Sequence, residues 1–368
     1  MNAPQLLLAG DVMTGRGIDQ VLAHPSPPGL FEPWVRDARE YVRIAEEANG
    51  PIPAPVPPAY VWGDALAAMD RWPGALRIVN LETSITRSDD AWPGKGIHYR
   101  MEPRNIACLT AARLDACTLA NNHVLDWGRA GLAETLATLA AAGLRCAGAG
   151  RDLRAASAPA LLPLAAGGRI LLSAWCTATS GVPQDWAALA RRSGVALLPD
   201  LSEASAARVA EEVARARRPG DRVVVSLHWG GNWGFSLPAS HRNFAHRLVE
   251  LGAADVVHGH SSHHPLPIEV YRGRAILYGC GDLVNDYEGI APHGSLRSDL
   301  GCLYLLALGD DGALQRLEIV PLQLRRFRLQ RADAGARAWL RRVFDEEGRA
   351  LGTRVEEAED GRFALRWD

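Results

Sequence analysis

Five polar clusters in this chain each follow a short apolar run. They are Asp11, Glu82, Asn122-His123, His228 and His260-x-x-His263. Together they offer two carboxylates, one amide and several imidazoles. That donor set suits a divalent transition ion such as Mn, Fe or Zn, with enough ligands for one or two ions. No thiolate is needed. Each residue alone has a plainer use. Asp11 could cap a turn, Asn121-Asn122 could tolerate left-handed backbone, and His123 could be a satisfied structural histidine. The recurrence of all five clusters after apolar runs favours the metal reading.

The elements that must position them alternate. Gln5 to Ala9 reads as a buried strand ending at Gly10-Asp11. Further strands are expected at Leu76–Asn80, Ala116–Leu119, Arg169–Ala174, Val223–Ser226, Asp255–His258, Ala275–Tyr278 and Cys302–Leu306. Helices are expected near Glu32–Asn49, Trp62–Trp72, Arg104–Ala112, Gly128–Ala142, Ser202–Arg217, Ala239–Leu251 and Ala334–Phe344. The alternation indicates a layered α/β fold. In open α/β sheets the carboxyl ends of the strands meet at one edge, where ligands bind. Asp11 and His263 can therefore converge despite their distance in sequence. Residues 1–322 read as one domain, with a proline-rich insertion at 24–60. Residues 323–368 read as a small α/β C-terminal appendage.

Composition removes several functions. Of 40 basic residues, Lys95 is the single lysine, so no other lysine is available for Schiff-base chemistry. No phosphate-cradling glycine loop precedes Lys95, and Gly148-x-Gly150 lacks the rest of a dinucleotide fingerprint. A net charge of -2 argues against a nucleic-acid or anionic-membrane binder. No run reaches the roughly 18 apolar residues of a membrane span. Leu6-Leu7-Leu8 is too short for a signal peptide core. Cysteines 108, 117, 146, 176, 280 and 302 form no Cys-x-x-Cys pair and read as reduced thiols in a cytoplasmic protein. The histidines are less bland: seven of the eleven fall between His228 and His264.

Six segments carry a resemblance. They are Gly10-Asp11-Val12-Met13-x-Gly15-Arg16, Asn80-Leu81-Glu82, Ala120-Asn121-Asn122-His123-x-x-Asp126-x-Gly128, Ser226-Leu227-His228-Trp229-Gly230, Gly259-His260-Ser261-Ser262-His263 and Tyr278-Gly279-x-Gly281-Asp282. In this order they resemble the CapA family of capsule and poly-γ-glutamate synthesis, within the calcineurin-like metallophosphoesterases. The resemblance implies a β-sandwich flanked by helices, with a dinuclear site at strand ends. It implies that Asp11 binds the first metal and that Glu82 replaces a bridging aspartate. Asn122, His228 and His260 would bind the second metal, and His263 the first. His123 would be the general acid or a transition-state stabiliser, with Asp11 the other catalytic residue. Asn80, Asp126, His258 and Asp282 are expected to orient the ligands from outside. Arg16, Arg100, Tyr99 and Trp229 are expected to contact an anionic, small or short polymeric substrate. Met13 stands where the family pattern has histidine, so the first metal loses a ligand.

Two functions follow as expectations. One is a metal-dependent hydrolase acting on a phosphoester or a γ-glutamyl or other amide bond. The alternative is a non-hydrolytic accessory or binding protein for polyglutamate-like anions.

Overall fold

The computed structural model describes residues 5–165, 167–290 and 295–368. Among these residues, two large β-sheets pack against one another. The larger has ten strands. Its main path runs Thr353–Glu357, Phe363–Trp367, Leu314–Arg325, Leu300–Leu308, Gln5–Val12, Leu76–Leu81, Ala116–Thr118 and Arg145–Ala147. Asp282–Val284 adds beside Gln5–Val12, and Arg328–Arg331 beside Leu314–Arg325. The smaller sheet has seven strands. Its path runs Leu197–Leu198, Arg169–Thr177, Arg222–His228, Val256–His260, Arg274–Leu277 and Ile268–Tyr271, with Ala160–Pro163 on its flank.

Side-chain alternation explains the layering, because successive residues of a strand face opposite sides. In the smaller sheet Ile170, Leu172, Val224, Val256, Ala275 and Leu277 join the core shared with Leu6, Leu8 and Ile78. Their neighbours Leu171, Val223, Val225, Val257 and Ile276 face a second core. That core is closed by Ala206, Val209 and Val213 of the helix Glu203–Ala216 and by Phe244 and Leu248 of the helix Ala239–Glu250. Strands buried on both faces read as continuous apolar runs, as Val223-Val224-Val225 does. The architecture is the expected β-sandwich flanked by helices.

The strands that carry the polar clusters are parallel within each sheet. Gln5–Val12, Leu76–Leu81 and Ala116–Thr118 run together, as do Arg222–His228 and Val256–His260. Register does the rest. Asp11 lies opposite both Asn80 and Asp282, and His228 lies opposite His260. The first strand is irregular between Leu8 and Asp11 and again at Val12. Such bulges re-aim side chains beside functional sites. Two motif glycines permit the close approach. A Cβ on Gly10 would meet the Gly281 carbonyl oxygen at 1.7 Å, and one on Gly259 would meet the Tyr278 carbonyl oxygen at 2.3 Å.

Three expectations about elements need correction. The helix expected from Glu32 begins at Arg39 and runs to Asn49. Glu32 precedes Pro33, which disfavours helical backbone before it. The segment near Arg104–Ala112 starts as a 3-10 turn, Pro103–Ile106, and becomes α-helical at Ala107–Thr110. The proposed boundary at 322/323 falls inside the strand Leu314–Arg325. Thr353–Glu357 and Phe363–Trp367 extend the larger sheet from that strand, so the C-terminal segment is part of the sandwich. The proline-rich insertion folds onto the core, where Ala45, Ile52 and Val56 are buried.

Candidate metal centre

Asp11 sits at the centre of the site and is fully buried. Asn80 Nδ2 donates to its Oδ1 at 2.8 Å, and the Ser261 amide donates to its Oδ2 at 3.2 Å. Ser261 holds φ 102 to aim that amide. A non-glycine residue in this region is strained, and such strain clusters at functional sites. Two groups of potential ligand atoms share Asp11. One is Asp11, His228 and His260; the other is Asp11, His263 and Asp282. Within each group the atoms lie within 4.8 Å of one another.

Asp11 is the carboxylate common to both groups. Glu82 stands beside them, with Oε1 3.9 Å from His228 Nε2 and 3.8 Å from His123 Nε2. Asp282, expected only to orient a ligand, takes a place in the second group. It reaches Asp11 through the parallel pairing of their strands. Met13, where the resemblance implies a histidine, is buried and apolar. Asn285 Nδ2 steadies Asp282 Oδ2 at 2.8 Å. Sequence reading missed Asn285 altogether.

A hydrogen-bonded chain fixes the imidazoles. His258 Nε2 donates to the Ala9 carbonyl at 2.9 Å, so its neutral Nδ1 accepts from Ser226 Oγ at 3.1 Å. Ser226 Oγ then accepts from His260 Nε2 at 2.7 Å. The His260 Nδ1 lone pair is left facing the site. His228 Nε2 donates to Asn122 Oδ1 at 3.1 Å, which leaves its Nδ1 lone pair 2.8 Å from His260 Nδ1. Two facing lone pairs at that separation need a proton or a cation between them. Burial holds both rings well below the ordinary histidine range, which disfavours the proton.

The carboxylates give the same answer. Burial, and then the charge of Asp282, pushes Asp11 up to about 7. Burial and Asp11 push Glu82 well above its usual range. Burial disfavours a charged His263, but Asp282 and Asp11 outweigh it and raise that residue. Buried acids crowded together without a counter-charge are costly, and a divalent ion offsets that cost. The residues therefore fit a metal. With Asp11 raised to about 7, an incoming ion competes with a proton there. Titration calorimetry with Mn or Zn at pH 6.5 should show buffer-dependent heats of proton release. Affinity should weaken as pH falls below about 7.

The exposed edge of the site is formed by half-buried Asn122, with His123 and His263 each 6% exposed. His123 Nδ1 lies 2.7 Å from Asp126 Oδ2, which also accepts from the Tyr99 amide at 2.7 Å. Burial pushes His123 down to about 4, with Asp126 opposing part of the effect.

The four residues expected at the substrate are placed otherwise. Arg16 is buried and bonded to Asp286, Glu32 and Tyr41, with its guanidinium over the Tyr41 and Tyr99 rings. Two carboxylates neutralise its charge. Arg100 is held by Asp89 and the Ser88 carbonyl at 2.8 Å each, and covers Trp127. Tyr99 is buried, packs edge-on to His123 at 4.7 Å and points its hydroxyl at Asp286. Trp229 is buried, donates to the Tyr278 carbonyl and stacks on His241. Of the four, Tyr99 backs His123, and Trp229 belongs to the second core.

Comparison with known proteins agrees with the motif order. Residues 5–287 match the family described as bacterial capsule synthesis protein PGA_cap. A Mycobacterium tuberculosis protein named probable polyglutamine synthesis accessory protein is 48% identical over 352 residues, covering 95% of this chain and 92% of its own length. The PGA biosynthesis protein CapA of Bacillus subtilis is 30% identical over 316 residues, covering 86% of this chain and 70% of its own. A 5'-nucleotidase precursor from Thermus thermophilus aligns at a TM-score of 0.45 with 15% identity, covering 87% of this chain and 54% of that one, a likeness too remote to bear on the site. Among the described residues no helix is long and apolar enough to cross a membrane. With most of its length matched and its polar clusters in the family's order, the chain belongs to the PGA_cap family of bacterial capsule synthesis proteins.

Proposed function

We propose that this protein is a divalent-metal-dependent hydrolase of an anionic substrate, a phosphoester or a γ-glutamyl-type amide, in poly-γ-glutamate metabolism. The observation that carries the reading is the buried Asp11 carboxylate shared by two three-residue ligand groups. His228 and His260 would hold one ion with Asp11, and His263 and Asp282 the other. Asn122 and Glu82 flank the first group. Bound ions of this kind supply Lewis-acid polarisation of a substrate oxygen and an acidified water.

The chain's own residues do the remaining work. Burial keeps His123 neutral at pH 7, with its Nδ1 proton on Asp126 and Nε2 toward Glu82 and the ligand cluster. In this reading His123 accepts at Nε2 the proton that the attacking water releases and delivers it to the leaving group. The resemblance implies a general acid or a transition-state stabiliser at His123, and a proton shuttle is the form of the first that a neutral imidazole takes. The buried Tyr99 ring, edge-on to His123, keeps water from behind that imidazole.

The accessory-protein name of the mycobacterial relative favours a second reading, a binder of polyglutamate-like anions without turnover. Aryl phosphodiesters and γ-glutamyl peptides, assayed with Mn, Zn and Fe, separate the two. The hydrolase reading expects metal-dependent turnover lost in His260→Ala. Metal and anion binding with no turnover on either substrate class would establish the binder.

A further inference from the structure

We infer that Lys95, the chain's one lysine, is a positioning residue for His123. This inference deepens the hydrolase reading and rests on it for its kinetic consequence. Lys95 lies in the loop between the Ser84–Ile85 and Arg100–Met101 strands. Its side chain is 14% exposed, and its Nζ reaches the site from the open edge. The ammonium donates to the Ile97 carbonyl oxygen at 2.8 Å and pairs with Asp126 Oδ1 at 2.7 Å, while His123 Nδ1, whose proton is given to Asp126 Oδ2, lies 3.1 Å away. The Trp186 ring lies 5.7 Å off on another side.

Asp126 is the member that needs this lysine. Its carboxylate is fully buried. Oδ2 is held by the Tyr99 amide and His123, while Oδ1 has no hydrogen-bond partner and is offset only by the Lys95 ion pair. A buried carboxylate with one oxygen uncompensated would turn toward other donors or draw in water. Either movement releases His123 Nδ1 and lets the ring rotate, which takes Nε2 off the ligand cluster. Lys95 pins Asp126, and Asp126 pins His123. Lys95 is carried by the loop that precedes the Arg100–Met101 strand. The Trp92 amide bonded to the Asp126 carbonyl at 2.8 Å ties that loop down.

A single lysine makes the inference directly measurable. In protein labelled with [15N]lysine, the lone side-chain ammonium should give one resonance protected from solvent exchange. Exchange at the rate of free lysine would overturn the inference without any variant. In [15N]histidine-labelled metal-free protein, Lys95→Met should change the ring-nitrogen pattern of His123 and leave those of His228, His260 and His263 in place. An unchanged His123 pattern, or equal changes in all four rings, would also overturn it.

With Mn loaded and aryl phosphodiesters as probe, Lys95→Met should keep the metal stoichiometry and leave KM within about twofold. Its kcat should fall by roughly ten- to a hundredfold, less than the full contribution of a positioned acid or base. The fall should grow as the leaving group becomes a poorer one. An equal loss across leaving groups would contradict positioning of the proton shuttle. If the wild-type protein turned over no probe, the hydrolase reading would fail there, while the lysine and histidine spectra would still decide the role of Lys95.

Discussion

Asp11→Asn should abolish metal binding at both ligand groups and, in the same protein, raise the stability of the metal-free form. The two effects have opposite sign because they have one cause. Asp11 is the carboxylate common to both groups, so its loss leaves each with two donors. Loss of an outer partner of a metal ligand typically costs 10–100-fold in affinity, and loss of a shared ligand should exceed about 100-fold. Without metal, the same carboxylate is buried beside Glu82 and Asp282, and burial with the Asp282 charge lifts it to about 7. A carboxyl raised in the folded state binds protons more tightly there than in the unfolded chain. Its stabilisation is complete below the unfolded value near 3.8 and is lost as pH rises through about 7. Asparagine removes that dependence. Metal-free Asp11→Asn should therefore gain over the wild type as pH rises from about 4 to 8, by on the order of 1–3 kcal/mol at the upper end. Chelated proteins compared by urea unfolding across this range provide the check. A variant less stable than wild type at pH 8 would show that Asp11 serves the fold rather than a cation.

Asp282→Asn should divide the site. It removes the charge from the group with His263 and leaves Asp11, His228 and His260 untouched. Elemental analysis after reconstitution should fall from about two ions per chain to about one. His260→Ala should also lower the count by one, from the other group. Either variant should reduce turnover by more than about a hundredfold, since both ions of a two-metal site share in clamping the substrate. The pair is informative together. If Asp282→Asn retained two ions, the carboxylate would be a partner of His263, to which it lies 2.9 Å, and not a ligand.

Much of this site was legible in the sequence because parallel strands impose a rule. Asp11, His228 and His260 end apolar runs, and those strand ends meet at one edge. The place of Asp282 beside Asp11 was not legible, because it depends on the register that sets it opposite Asp11, 271 residues earlier. The same limit applies to Arg16. Its pairing with Asp286 and with Glu32 of the insertion is tertiary, and an arginine next to a glycine loop looks from sequence like a substrate contact. Lys95 was visible as a count of one, but its place beside Asp126 was not. The C-terminal strands were hidden for a local reason. Leu314–Arg325 carries Arg316, Glu318 and Pro321, which interrupt the apolar pattern of a sheet strand.

The architecture also separates what the histidine-rich segment does. His228, His260 and His263 face the candidate centre, and His258 orients His260 through Ser226. His241 stacks on Trp229, and His246 pairs with Glu269 at 3.0 Å, so both belong to helix packing. His264 accepts from the Gly234 amide at 3.1 Å and holds the glycine-rich loop at the site's rim.

If Asp11 is shared between two bound ions, anomalous diffraction from crystals of protein reconstituted with Mn or Zn should show two peaks flanking it, one among His228 and His260 and the other between His263 and Asp282. A map with no peak at Asp11, from protein shown to be folded and soaked at saturating metal, would contradict that sharing.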